Sequence, residues 1–129
     1  MQRLGFKRMY LATLLFAAAP VLAQTELKAS IEKDYKASLG ALFDHFHRNP
    51  ELSFVETKTA ARLAQELRAT GFEVTENVGK TGIVAIMKNG PGPLVMLRAD
   101  MDGLPVQEKS GLPNASTVMQ KDMSGNLMP

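Results

Sequence analysis

The spacing of apolar residues changes once along this chain, at Thr70-Gly71, and that switch limits the folds open to it. Before it, Ile31, Tyr35, Leu39, Leu42, Phe43 and Phe46 fall on one helical face, which predicts a helix over 31–46. Pro50 stops that helix, because it cannot continue the hydrogen-bond ladder and it restricts Asn49 before it. A second helix is predicted from about Val55 to Ala69, with Ala60, Leu63, Ala64 and Leu67 as its apolar stripe. Ser53 and Glu56 have capping-box spacing at its start, and Gly71 closes it.

Beyond Gly71 the pattern is that of strands. Phe72-Glu73-Val74-Thr75 alternates, Ile83 to Met87 is rich in β-branched residues, and Lys88 to Pro93 is a turn dense in breakers. Leu94-Val95-Met96-Leu97 is continuously apolar, which suits a strand covered on both faces. From Arg98 the chain is polar and irregular, like a long connection. Helices followed by strands predict an α/β layer. There is no internal repeat and no low-complexity tract.

The first residues are set apart from this layer. Arg3, Lys7 and Arg8 precede an apolar run from Met9 through Ala19, Pro20 breaks it, and Val21-Leu22-Ala23 offers a small-residue exit. That order describes a secretory signal peptide over 1–23, cleaved after Ala23. The alternative, a membrane anchor, is disfavoured because the run is shorter than the ~20 residues that span a bilayer. Of 15 Lys+Arg the leader takes three, leaving 12 against 13 Asp+Glu and a net charge of −1. The basic character thus belongs to the leader, and neither nucleic acid nor, after cleavage, a membrane is expected as a partner. With no cysteine, no disulfide braces the exported part.

Chemistry concentrates at Arg98-Ala99-Asp100-Met101-Asp102, where the apolar run gives way to a loop. In open α/β sheets ligands gather beyond the carboxyl ends of strands. If extended geometry persists, Arg98, Asp100 and Asp102 share one side. Two carboxylates ~6 Å apart repel by roughly 2–3 kcal/mol at an effective dielectric of 20, so a cation or a shared proton must offset them. The plainer alternative pairs Arg98 with Asp100 and leaves Asp102 to cap the turn at Gly103. His45 and His47, two apart on a helix, face different ways and form no metal pair. Asn114-Ala115-Ser116 has glycosylation spacing and reads as loop, and Met119, Met123 and Met128 receive no role.

Taken in order, the motifs become specific. His47-Arg48-Asn49-Pro50-Glu51-Leu52-Ser53-Phe54 with Glu56 and Thr59-Ala60, then Gly71-Phe72-Glu73-Val74, Val78-Gly79-Lys80-Thr81-Gly82-Ile83-Val84-Ala85 and Leu97-Arg98-Ala99-Asp100-Met101-Asp102-Gly103-Leu104-Pro105-Val106 follow one another. Glu108 and Ser110-Gly111-Leu112-Pro113 complete the set. This series resembles the N-terminal part of the aminoacylase/carboxypeptidase-type metallohydrolases, in the subgroup of hippurate hydrolase, N-acyl-amino-acid amidohydrolases and auxin-conjugate hydrolases. The resemblance implies a zinc-peptidase-like α/β domain, here an incomplete layer of two helices and then strands of a mixed sheet, without the lid or dimerisation domain. It implies hydrolysis of an amide bond in small N-acyl amino acids or peptides by two divalent metals, zinc, manganese or nickel, in a homo-oligomeric parent. Asp102 matches the aspartate that sits behind a metal-binding histidine in the wider family, and Asp100 takes the place of that histidine. Both are expected to support the metal site from behind its direct ligands.

Two departures matter. The subgroup's cysteine-and-histidine segment, similar to H-A-C-G-H-D, is absent, and Met128-Pro129 falls about where it would start. Gly103 stands where alanine is more usual, and Asn114 replaces a commonly aromatic residue. Residues 24–129 are therefore expected to be an N-terminal fragment of an exported, secreted or periplasmic, metal-dependent amidohydrolase, inactive and without tight metal binding by itself. The alternative is a small exported binding module derived from the same fold. Mass spectrometry of the exported product should find Gln24 at its N-terminus; a product keeping Arg3, Lys7 and Arg8 would contradict the leader.

Overall fold

A computed structural model describes residues 24–129, so the signal peptide expected over 1–23 lies outside the described residues. The chain divides into two units, Met1–Phe43 and Asp44–Pro129. In the first, residues 24–34 are helical and continue into a π-helical turn, Tyr35–Leu39. The wide turn closes through the Gly40 N–H, which donates to the Tyr35 carbonyl. A side chain at Gly40 would meet that carbonyl at 3.1 Å and the Tyr35 ring at 3.2 Å, so glycine permits the bulge at the usual helical cost of about 1 kcal/mol. Of the expected apolar face, Ile31, Tyr35, Leu39 and Phe43 are exposed, and Leu42 and Phe46 are half-buried.

The second unit takes up the helix α1 (Gly40–Arg48) from Asp44 onward. Asn49 ends it, donating its N–H (3.1 Å) and its side-chain amide (2.8 Å) to the His45 carbonyl. Helix α2 spans Thr57–Ala69 and begins later than expected. The capping box of Ser53 and Glu56 does not form, because the chain turns at Leu52–Val55 with Phe54 at φ 65°. Instead the Glu51 carboxylate accepts the Thr59 N–H at 2.7 Å, so an anion satisfies one of the unpaired donors of the first turn. At the other end Phe72 N–H reaches the Leu67 carbonyl and Gly71 N–H the Arg68 carbonyl, a Schellman closure with Gly71 at φ 92°.

Strands β1 (Glu73–Val78) and β2 (Gly82–Ile86) pair antiparallel, Val74 opposite Ala85 and Thr75 opposite Val84, with an irregularity before Val78. Helix α2 packs against this hairpin. Among the described residues the buried apolar side chains are Leu52, Ala60 and Ala64, with Glu56 and Thr59 buried beside them. Burial works to raise the pKa of Glu56, but the Thr81 hydroxyl (2.5 Å) and the Glu56 and Phe54 backbone hydrogen bonds outweigh it, leaving the carboxyl below its usual value.

Two expectations fail here. Leu94–Leu97 forms no strand, and its side chains are 79–96% exposed. An apolar run becomes a covered strand only when neighbours supply hydrogen bonds and cover, and none of the described residues does so. Nor is the tail wholly irregular: β3 (Gln120–Lys121) and β4 (Leu127–Met128) pair antiparallel. Their turn is built on Asp122, whose carboxylate accepts the Ser124 and Asn126 N–H groups and the Asn126 amide. The named strands pair only antiparallel; the parallel element of a mixed sheet is reduced to one isolated bridge, Leu52 to Gly103. Glu51→Ala should lower stability by about 1 kcal/mol in urea unfolding while Ser53→Ala changes little; equal effects would contradict the reassigned cap.

Candidate functional site

Residues 47–52, the end of α1 and the chain that leaves it, form the frame of the site. The Gly103 N–H donates to the Glu51 carbonyl at 2.7 Å, beside the Leu52–Gly103 bridge. A Cβ at position 103 would lie 2.7 Å from the Pro50 Cβ, which explains physically why this chain keeps glycine there. Gln120 clamps the same strip with both ends of its amide: Oε1 accepts the Leu52 N–H at 3.4 Å, and Nε2 donates to the Pro50 carbonyl.

His47 also finds a partner, 61 residues away in sequence. Its Nε2 lies 3.0 Å from Glu108 Oε1. The same carboxylate accepts the Ser110 hydroxyl at 2.5 Å and the Ser116 N–H at 2.7 Å. The Ser110 hydroxyl, then the Ser116 N–H and then His47 hold the Glu108 carboxyl down to about 2. Ser116 Oγ donates to the Arg48 carbonyl (3.3 Å), and Arg48 Nη1 donates to the Pro113 carbonyl (3.2 Å), so the 108–116 loop is fastened to the end of α1. Arg48 Nε also binds Asp44 (2.8 Å), holding that carboxyl below its usual range.

Asp100 and Asp102 come with Met101, His47 and Glu108 to the wall of one open cleft of about 890 Å³. Arg98 Nη2 lies 2.5 Å from Asp100 Oδ1, as the plainer reading of this stretch expects. Both side chains are well exposed, so the pair contributes little to stability, ~0–1 kcal/mol at most. Asp102 is exposed, one residue before the anchored Gly103. His45 turns elsewhere, edge-on to Phe46 at 5.5 Å.

Among the described residues no three His, Cys, Asp or Glu side chains gather closely enough to hold an ion. The described residues therefore do not by themselves fit a dinuclear centre. Sequence reading missed Glu51, Glu108 and Gln120 as anchors. Glu108 belonged to the matched motif series, but nothing in local spacing pairs it with His47. Among the described residues, no helix is long and apolar enough to cross a membrane.

No family model matches the chain. Individual proteins do. It is 44% identical over 84 residues to hippurate hydrolase of Campylobacter jejuni, covering 64% of this chain and 22% of that protein. It is 35% identical over 96 residues to N-acyl-L-amino acid amidohydrolase of Geobacillus stearothermophilus, covering 74% of this chain and 26% of that one. The crystal structure of Bacillus subtilis YxeP, a dinuclear metal binding peptidase of the M20 family, superposes with a TM-score of 0.59 at 34% identity, over 74% of this chain and 26% of that one. This chain resembles the N-terminal part of the M20 amidohydrolases and peptidases. The family resemblance and the α/β class read from the motifs are both borne out. The chain spans about a quarter of the length of these M20 relatives.

The depressed pKa of Glu108 gives a signed prediction. Its contribution to stability is fully present above the unfolded value of 4.5 and is lost as pH falls towards about 2. In urea unfolding from pH 7 to pH 2.5, the difference between the native chain and Glu108→Gln should shrink across that window; a constant difference would contradict the contacts described.

Proposed function

We propose that this chain forms the opening part of an exported, metal-dependent amidohydrolase that cleaves the amide bond of N-acyl amino acids or small peptides. The observation that carries the reading is the Asp100-Met101-Asp102 stretch, anchored at Gly103 on a cleft wall, in a chain 34% identical to a dinuclear metal binding peptidase. The names of the relatives, hippurate hydrolase and N-acyl-L-amino acid amidohydrolase, supply the substrate class. In this reading Asp102 and Asp100 buttress a two-metal site, zinc or manganese, whose direct ligands other segments contribute. Export through residues 1–23 and a homo-oligomeric parent belong to the same proposal.

A free-standing binding module is the weaker reading. It would have to leave Leu94–Leu97 in water, four consecutive apolar side chains of a kind that folded proteins cover or use as contacts.

The test is hydrolysis of benzoyl- and acetyl-amino acids by the full-length product of the locus. Turnover should require Zn²⁺ or Mn²⁺, disappear with a chelator and return on metal addition. Asp102→Asn should lower kcat/KM about 10–100-fold. The chain ending at Pro129 should give no turnover, and metal-dependent turnover by it alone would sink the proposal.

A further inference from the structure

We propose that Glu108 is a positioning residue that sets the orientation of the Asp100–Asp102 stretch through its latch to His47. The inference rests on the amidohydrolase reading for its kinetic consequence, but its structural part stands alone. Upstream of Asp100 the described residues give the loop little hold: Leu94 to Leu97 are exposed, and Arg98 pairs with Asp100 two residues away. Downstream, Gly103 is held by its N–H to the Glu51 carbonyl within the one-residue Leu52–Gly103 bridge, a contact worth about 1 kcal/mol net per hydrogen bond. A bridge one residue long fixes Gly103 but does not by itself fix the direction of the chain on either side of it.

The second point of attachment is Glu108. After Gly103 the chain bends tightly, the Val106 N–H donating to the Leu104 carbonyl at 2.8 Å, and Glu108 returns to the strip that Gly103 touches. Gly103 is tied to Glu51, and Glu108 is tied to His47, four residues earlier on the same strip. The two ties close a ring of short chain segments, which turns a pivot into a plate. Glu108 accepts three hydrogen bonds, one from His47 on the strip and two, Ser110 and Ser116, from its own 108–116 loop, which fix the carboxylate that makes the latch. Charge-assisted bonds of this kind are about twice as strong as neutral ones. Met101, half-buried between the two aspartates on the cleft wall, reports on the ring without taking part in it.

The experiment uses the full-length protein bearing this sequence, with Glu108→Ala, Glu108→Gln and Arg68→Ala. Arg68 is a control because its 2.6 Å pair with Glu76 ties α2 to β1, away from the cleft. Glu108→Ala should lower kcat about 10–100-fold with KM within about twofold. Glu108→Gln, which keeps an acceptor for His47 and Ser110, should recover part of the loss. Arg68→Ala should lower the melting temperature and leave kcat unchanged. In ¹³C-methyl-methionine spectra the Met101 signal, assigned with Met101→Leu, should shift and sharpen in Glu108→Ala but not in Arg68→Ala. Unchanged kcat in Glu108→Ala, or an unmoved Met101 signal, overturns the proposal. If the native enzyme hydrolyses no acyl-amino acid, the functional reading fails by itself, and the Met101 signal alone then decides the latch.

Discussion

The hydrogen bond from Gly103 to the Glu51 carbonyl joins the two halves of the site, and the other contacts that frame the site meet on the strip that accepts it. His47 to Leu52 is a short length of chain that runs from the last residues of α1 towards α2. On it converge the end of α1, the cap of α2, the loop bearing the aspartates and the Gln120 clamp. Pro50 is central to this role. It ends α1, and its ring excludes a side chain at position 103, so backbone meets backbone at hydrogen-bonding distance.

Polar contacts carry much of this organisation because apolar burial is small. Leu52, Ala60 and Ala64 are a thin apolar core among the described residues, and large side chains such as Leu97 and Phe43 remain in water. Surface ion pairs such as Arg98–Asp100 cannot compensate, since their small Coulombic gain in water and the entropy cost of holding two long side chains nearly cancel. Glu108 and Glu51 act differently. Each accepts backbone or hydroxyl donors that would otherwise lack partners, and a missing partner costs more than a present one gains. For Asp100 and Asp102 the consequence is a platform that is held from below and open above.

Much of the layer was legible in the sequence for a physical reason. Helical stripes and strand alternation are local, so Ala60, Leu63, Ala64 and Leu67 announce α2, and Gly71 announces its end. The resemblance was legible because its motifs sit at anchor points: the His47–Leu52 strip, Gly103 and Glu108. What could not be read was long-range pairing. Ser53 has the better local spacing for a cap, yet Glu51 wins because Phe54 turns the chain before the helix starts. Leu94–Leu97 reads as a buried strand because its composition describes the surroundings such a segment requires, and composition does not say which residues provide them. The partnership of His47 with Glu108 spans 61 residues and leaves no periodic trace.

Amide hydrogen exchange at Gly103 tests the joint directly. If the Glu51 carbonyl holds that N–H, Gly103 should exchange far more slowly than its exposed neighbour Asp102, and Pro50→Gly should bring the two rates together. Exchange of Gly103 at the rate of an unstructured peptide in the native chain would mean that the aspartate loop is not docked on the strip at all.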